Sequence, residues 1–134
     1  MRFKIFAVVL FSIVLVAFAG CSNVEIPDAN EVFSIGSGQQ TFRFMVVDAD
    51  NNATAWDVST NESIVGAALL DVDLIAGDVS AWGLFVTTVN GITADFDADG
   101  SWWALYVNGE MAMQGIDDII IDTESEYVFV FTVG

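Results

Sequence analysis

The chain of 134 residues contains no histidine, one cysteine (Cys21), one proline (Pro27) and three basic side chains, Arg2, Lys4 and Arg43. Without imidazole, histidine general bases and serine–histidine or cysteine–histidine nucleophile pairs are excluded. A single thiol forbids an intrachain disulfide, and zinc, which favours thiolates and imidazoles, finds no ligand set. The scarcity of Lys and Arg also removes nucleic acid as a partner, because that binding depends on neutralising phosphates. What survives is carboxylate-pair chemistry of the glycosidase kind or an all-oxygen metal site. No particular carboxylate pair is marked, so the chain is expected not to be an enzyme. The longest mainly apolar stretch, Ile5 to Phe18 with Ser12 inside it, covers fourteen residues, short of the roughly 20 that a membrane-spanning helix needs.

What is present at the N-terminus is an export signal. Arg2 and Lys4 precede the apolar run, which ends at Ala19-Gly20-Cys21. A charged start, a short apolar stretch and small residues mark a cleaved segment. Phe18-Ala19-Gly20-Cys21 resembles a lipobox, with Phe18 in place of the commoner leucine. The expectation is a signal peptide over 1–20, acylation of Cys21, and an extracytoplasmic protein lipid-anchored to the bacterial cell membrane. Two or more acyl chains give durable attachment where one gives only marginal binding. Removing 1–20 leaves Arg43 alone against 19 acidic side chains, a net charge of −18. Such a surface repels anionic lipid, so membrane residence must come from the anchor, and divalent cations or basic partners are its natural electrostatic visitors.

Residues 21–40 combine Pro27 with Ser-Gly punctuation at Ser34, Gly36, Ser37 and Gly38 and read as a flexible tether, with 41–134 as one folded domain. Phe42, Phe44 and Val46 alternate with Arg43, Met45 and Val47, the period of a strand. Asp48 to Ala53 turns the chain, and Thr54 to Ser59 returns. The spacing of Ile64, Val65, Ala68, Leu69 and Val72 predicts a helix over Asn61 to Asp73, with Thr60 as N-cap and Glu62 in the first turn. Asp78 to Gly83 reads as a loop carrying Trp82. Strands are expected over Leu84 to Val89, Ile92 to Ala94, Ser101 to Val107, Glu110 to Gln114 and Tyr127 to Val133, with Asn90-Gly91 and Asn108-Gly109 as hairpin turns. Two strands, a helix and then several strands make an α+β plan.

Three groups of side chains are candidates for function. Asp95, Asp97, Asp99 and Gly100 match the opening of a calcium loop, although position twelve is Tyr106 rather than glutamate; the competing reading is an acidic hairpin turn. Trp56, Trp82, Trp102, Trp103 and Tyr106 offer flat faces for a ligand or fill the core. Alternation puts Trp102 and Tyr106 on one side of their strand and Trp103 and Leu105 on the other. Arg43 is expected to pair with a strand neighbour or to clamp an anionic ligand group. Met111 and Met113 read as apolar gap-fillers.

The ordered set Trp82-Gly83-Leu84, Val89-Asn90-Gly91-Ile92, Trp102 to Glu110, Met113-Gln114-Gly115-Ile116 and Tyr127 to Phe131, together with Ser63 to Leu70, resembles the transcobalamin C-terminal-like domain of bacterial lipoproteins. The resemblance implies a β-grasp-like mixed sheet with one packed helix, and a domain that covers one face of bound cobalamin in transcobalamin and intrinsic factor. The leading expectation is therefore a lipid-anchored, non-catalytic surface binding module for a corrinoid or similar ligand, with Trp82, Trp102 and Tyr106 at the contact and delivery to a transporter as its use. The alternative is a structural or adhesive cell-surface domain stiffened by calcium at Asp95, Asp97 and Asp99.

Overall fold

The computed structural model describes residues 25–134, so the expected signal peptide and Cys21 lie outside the described residues. Nine strands, two helices and one 3-10 turn follow in the order β1 (Glu31–Gly36), β2 (Gln40–Val47), β3 (Ala53–Thr60), α1 (Val65–Asp71), β4 (Ile75–Ser80), β5 (Gly83–Val89), β6 (Ile92–Thr93), α2 (Phe96–Asp99), β7 (Ser101–Val107), β8 (Glu110–Met111), the 3-10 turn Ile116–Asp118 and β9 (Glu126–Val133). The α+β reading holds.

The larger sheet has six strands in the order β1-β3-β2-β9-β7-β8. It is mixed: β1 runs parallel to β3 and β2 parallel to β9, while β2–β3, β7–β9 and β7–β8 are antiparallel. A separate antiparallel sheet of three strands, β4-β5-β6, carries the middle of the chain. The period-two pattern of β2 explains why both faces of the large sheet are covered. Phe42, Phe44 and Val46 join Trp56, Val58, Trp103, Tyr127 and Phe129 beneath α1 and the small sheet, where Val65, Ala68, Leu69, Ile75 and Val89 meet them. Met45 and Val47 point the other way, with Ala55, Ala104, Tyr106 and Val128, under Ile26 and Ala29. Edge-on aromatic contacts lock the first face, including Phe42 on Tyr127 at 5.6 Å and Trp103 on Phe131 at 5.3 Å.

Asn90-Gly91 and Asn108-Gly109 each place two consecutive residues at positive φ, 50° and 77° in the first and 53° and 85° in the second. A two-residue hairpin turn whose twist matches its strands requires this pair of conformations.

Three expectations fail, each for a tertiary reason. The flexible tether was placed through residue 40, but Glu31–Gly36 pairs along β3, and Ile26 and Ala29 pack on the second core face. Partnering β3 gives that segment hydrogen bonds that its own composition does not signal. The helix starts at Val65, not Asn61, and its N-cap is Ile64 without a side-chain cap. Ile64 is held extended instead: it bridges Ile120, and the Ile121 N–H donates to the Ser63 carbonyl at 2.8 Å. Thr60 Oγ1 accepts the Glu62 N–H at 2.9 Å in a local turn, so Glu62 lies before the helix rather than in its first turn. Finally, the expected loop at 78–83 is mostly strand, because Asp78, Val79 and Ser80 pair with Phe85, Leu84 and Gly83.

Candidate ligand-binding site

An open cavity of about 790 Å³ lies where the small sheet, α2 and the start of β7 meet. The β4–β5 hairpin supplies Asp78, Phe85 and Thr87, β6 supplies Thr93, the α2 turn supplies Asp95, Phe96 and Asp97, and β7 supplies Trp102. Its size falls within the range of small-molecule sites, about 300–1,000 Å³. Phe85 and Phe96 are both more than half exposed, at 61% and 63%. Such large apolar side chains held open to solvent beside a concavity mark a contact surface rather than a core.

Local structure aims each wall. Leu84 and Val86 pack on the core, so alternation turns Phe85 outward, opposite Asp78 across the hairpin. A register shift at Ala76/Gly77 bulges the hairpin near Thr87; bulges re-aim side chains in this way. Asp117 Oδ2 accepts the Leu84 N–H at 3.0 Å, the Ala94 N–H donates to the Thr87 carbonyl at 2.8 Å, and Trp103 Nε1 donates to the Ile92 carbonyl at 3.2 Å. The first bond ties β5 to the 3-10 turn, the second closes the small sheet on itself, and the third joins that sheet to β7 of the large one. Phe85 and Trp102 also border a second cavity of about 150 Å³ that reaches Trp103 and Phe129.

The α2 turn closes on Ser101, which is buried. The Ser101 hydroxyl donates to Asp99 Oδ1 and accepts the Asp95 N–H at 2.9 Å, while the Ser101 N–H donates to Asp99 at 3.0 Å. Asp95 Oδ1 accepts the Ala98 N–H at 3.2 Å, and Gly100 ends the turn in the left-handed region. The three aspartates expected to share calcium are therefore not brought together. Asp95 and Asp99 are spent on the turn itself, and among the described residues no group of three or more His, Cys, Asp or Glu is placed to hold a metal ion. The hydroxyl and then the backbone N–H of Ser101 hold the Asp99 carboxyl below its ordinary pKa. A depressed carboxylate adds stability that is present above its unfolded pKa and lost as pH falls through the folded one. Ser101→Ala is expected to raise the Asp99 pKa in a carbon-detected NMR titration. It also leaves the Asp95 N–H unpaired, at about 1–3 kcal/mol in urea unfolding. Millimolar calcium is expected to leave the melting temperature unchanged.

The expected aromatic trio is also separated. Trp102 lines the cavity. Tyr106 is buried in the core cluster on the second face of the large sheet. Trp82 stands 95% exposed at the tip of the β4–β5 hairpin, its N–H donating to Ser80 Oγ at 3.1 Å, and does not line the cavity. Alternation along β7 was read correctly, but both faces are covered, so both Trp103 and Tyr106 are core. Arg43 pairs with its cross-strand neighbour Asp57, Nε to Oδ1 at 2.9 Å. Met111 and Met113 are exposed at 52% and 97%, and so do not fill gaps in the core. Phe85 and Phe96 are the aromatic lining residues that sequence reasoning missed, along with Asp78, Thr87, Thr93 and Ala94. An outward phenylalanine between inward Leu84 and Val86, and an aromatic set inside an acidic run, were the available signals.

Residues 65–132, about half of the chain, match the family DUF4430, described as a domain of unknown function. The fold is similar to that of a candidate metal-binding protein from Ruminococcus gnavus ATCC 29149, with a TM-score of 0.67 and 24% identity over 72% of this chain and 99% of that one. It is also similar to part of haptocorrin in complex with Cbi (cobinamide), with a TM-score of 0.54 and 19% identity over 74% of this chain. The likeness covers 27% of the haptocorrin chain, so this protein spans about a quarter of that carrier. No curated protein matches the chain. The resemblance to the transcobalamin C-terminal-like domain family stands on the DUF4430 match and the haptocorrin likeness together.

Proposed function

We propose, from the premise that the chain belongs to the DUF4430 family, that it is a non-catalytic binding module whose cavity takes one face of a corrinoid or similar flat ligand. The observation that carries this is the 790 Å³ cavity walled by Phe85, Phe96 and Trp102. Aromatic rings bury large areas on binding with few rotatable bonds to freeze, and Thr87 and Thr93 line the cavity beside them, the Thr93 hydroxyl bonded to that of Thr88 at 2.8 Å. Haptocorrin supports the ligand class, because a part of it with this fold belongs to a protein solved with cobinamide. The β-grasp form of the fold is supported by the strand order β3-β2-β9-β7, with α1 following the β2–β3 hairpin and β2 parallel to β9.

The contact set is Phe85, Phe96 and Trp102, with Tyr106 and Trp82 removed from it. Cys21 supplies the membrane attachment in this reading, through acyl chains that hold the domain outside the cytoplasmic membrane, within reach of a transporter that receives the ligand. The absence of histidine and the commitment of Arg43 to Asp57 favour binding over catalysis. The metal-binding description of the Ruminococcus gnavus protein has no counterpart in the carboxylates of the cavity, since Asp95 is used as a helix cap.

The test is calorimetric titration with cobinamide. A one-sided contact of this area is expected to give a Kd on the order of micromolar, about −8 kcal/mol, and Trp102→Ala is expected to weaken it by about tenfold or more. No heat and no change in tryptophan fluorescence at high micromolar ligand would overturn the proposal.

A further inference from the structure

Resting on the reading of this cavity as a binding site, we infer that it selects its ligand by charge: it takes an organic cation, or the cationic part of a larger ligand, and turns away carboxylates and phosphates. Asp78, Asp95 and Asp97 line the cavity, and no basic residue does. Arg43, the one basic side chain among the described residues, is bonded to Asp57 on the β2–β3 hairpin. No counter-charge is therefore available to an anionic ligand.

Asp95 is occupied by the Ala98 N–H. Among the described residues, Asp78 and Asp97 receive no side-chain or backbone donor and are exposed. Carboxylates with free lone pairs at the rim of a concavity focus negative potential into it. The cavity wall then offers the exposed rings of Phe85 and Phe96, and ring faces attract cations. Carboxylates and ring faces thus favour the same charge. A bare divalent ion needs several converging oxygens, and no such group is formed among the described residues. An alkylammonium-like cation needs none, because it is held by ring faces and diffuse negative potential.

The experiment is an NMR titration of the full chain with phenyltrimethylammonium, benzyl alcohol and benzoate, probes of similar size that differ in charge. Phenyltrimethylammonium is expected to bind about tenfold or more tightly than benzyl alcohol at low ionic strength, with shifts at Phe85 and Phe96, and benzoate is expected not to bind. The preference should shrink in high salt. The double variant Asp78→Asn, Asp97→Asn should bring cation and alcohol within about threefold of one another. Equal binding of benzoate and the cation, an undiminished preference in the double variant, or no binding by any probe would each overturn the inference. If cobinamide fails in calorimetry while the charge preference holds, the corrinoid assignment falls and the charge selectivity stands.

Discussion

Phe44→Ala is expected to remove about 3–5 kcal/mol of stability, a large part of the 5–15 kcal/mol that such a domain possesses. Phe44 is fully buried at the centre of β2, with ring neighbours Trp56 at 5.9 Å and Phe129 at 6.1 Å. It sits between the antiparallel partner β3 and the parallel partner β9, so truncation opens a void that touches three strands at once. Urea unfolding is expected to show a midpoint drop with an unchanged slope, and Phe44→Leu, which refills most of the volume, should recover more than half of the loss. Met113→Ala, at a side chain almost wholly in solvent, is expected to stay within about 0.5 kcal/mol of wild type. A small effect at Phe44 would mean that the first core face is not packed as described.

Gly77→Ala is expected to damage the site as well as the fold. A Cβ built at Gly77 lies 2.0 Å from the Phe85 carbonyl oxygen and 2.8 Å from its carbon, and both are backbone atoms that cannot swing aside. The added methyl must therefore push β4 from β5 at the bulge, which displaces Asp78, Phe85 and Thr87 together. The expected cost is at the upper end of overpacking changes, about 3 kcal/mol, with faster amide exchange at Val86 and a loss of cobinamide binding by about tenfold or more. Gly109→Ala is the control. Its φ of 85° strains any other residue, but nothing lies within 4 Å of the new Cβ and the β7–β8 turn is not part of the cavity. It should cost about 1–2 kcal/mol and leave binding intact. Equal loss of binding in both variants would show that general destabilisation, not the hairpin, is responsible.

These outcomes separate what local pattern encodes from what only assembly decides. β2, β3, β7 and β9 were legible because alternation of Phe42, Phe44 and Val46, or of Trp103 and Leu105, is a local property of the chain. Asn90-Gly91 and Asn108-Gly109 were legible because left-handed pairs need those residues. β1 was not, since its stability comes from a parallel partner, β3, that lies about twenty residues further on. The true start of α1 was hidden for a similar reason: Ile119 to Ile121 capture Ser63 and Ile64 before the helix begins.

The site was legible in its parts but not in its membership. Trp102 was singled out as an aromatic on a strand, and it does line the cavity. Tyr106, with the same alternation, is buried because Ile26 and Ala29 join the cover on its face, and nothing in the strand sequence announces that cover. The aspartate spacing at 95–99 drew attention to calcium, whereas Phe96, set between those carboxylates, lines the cavity. Ser101 decided that outcome by taking Asp99 for itself, a contact between the turn and the following strand that spacing alone does not show.

Backbone amide shift mapping during a cobinamide titration tests the central claim most directly. The account predicts saturable shifts gathered at the Thr87, Thr93, Phe96 and Trp102 amides, with Met45, Val47 and Ala55, under Ile26 and Ala29 on the second core face, unmoved. Shifts gathered instead around the Trp82 turn or the Tyr106 face, or none at saturating ligand, would contradict it.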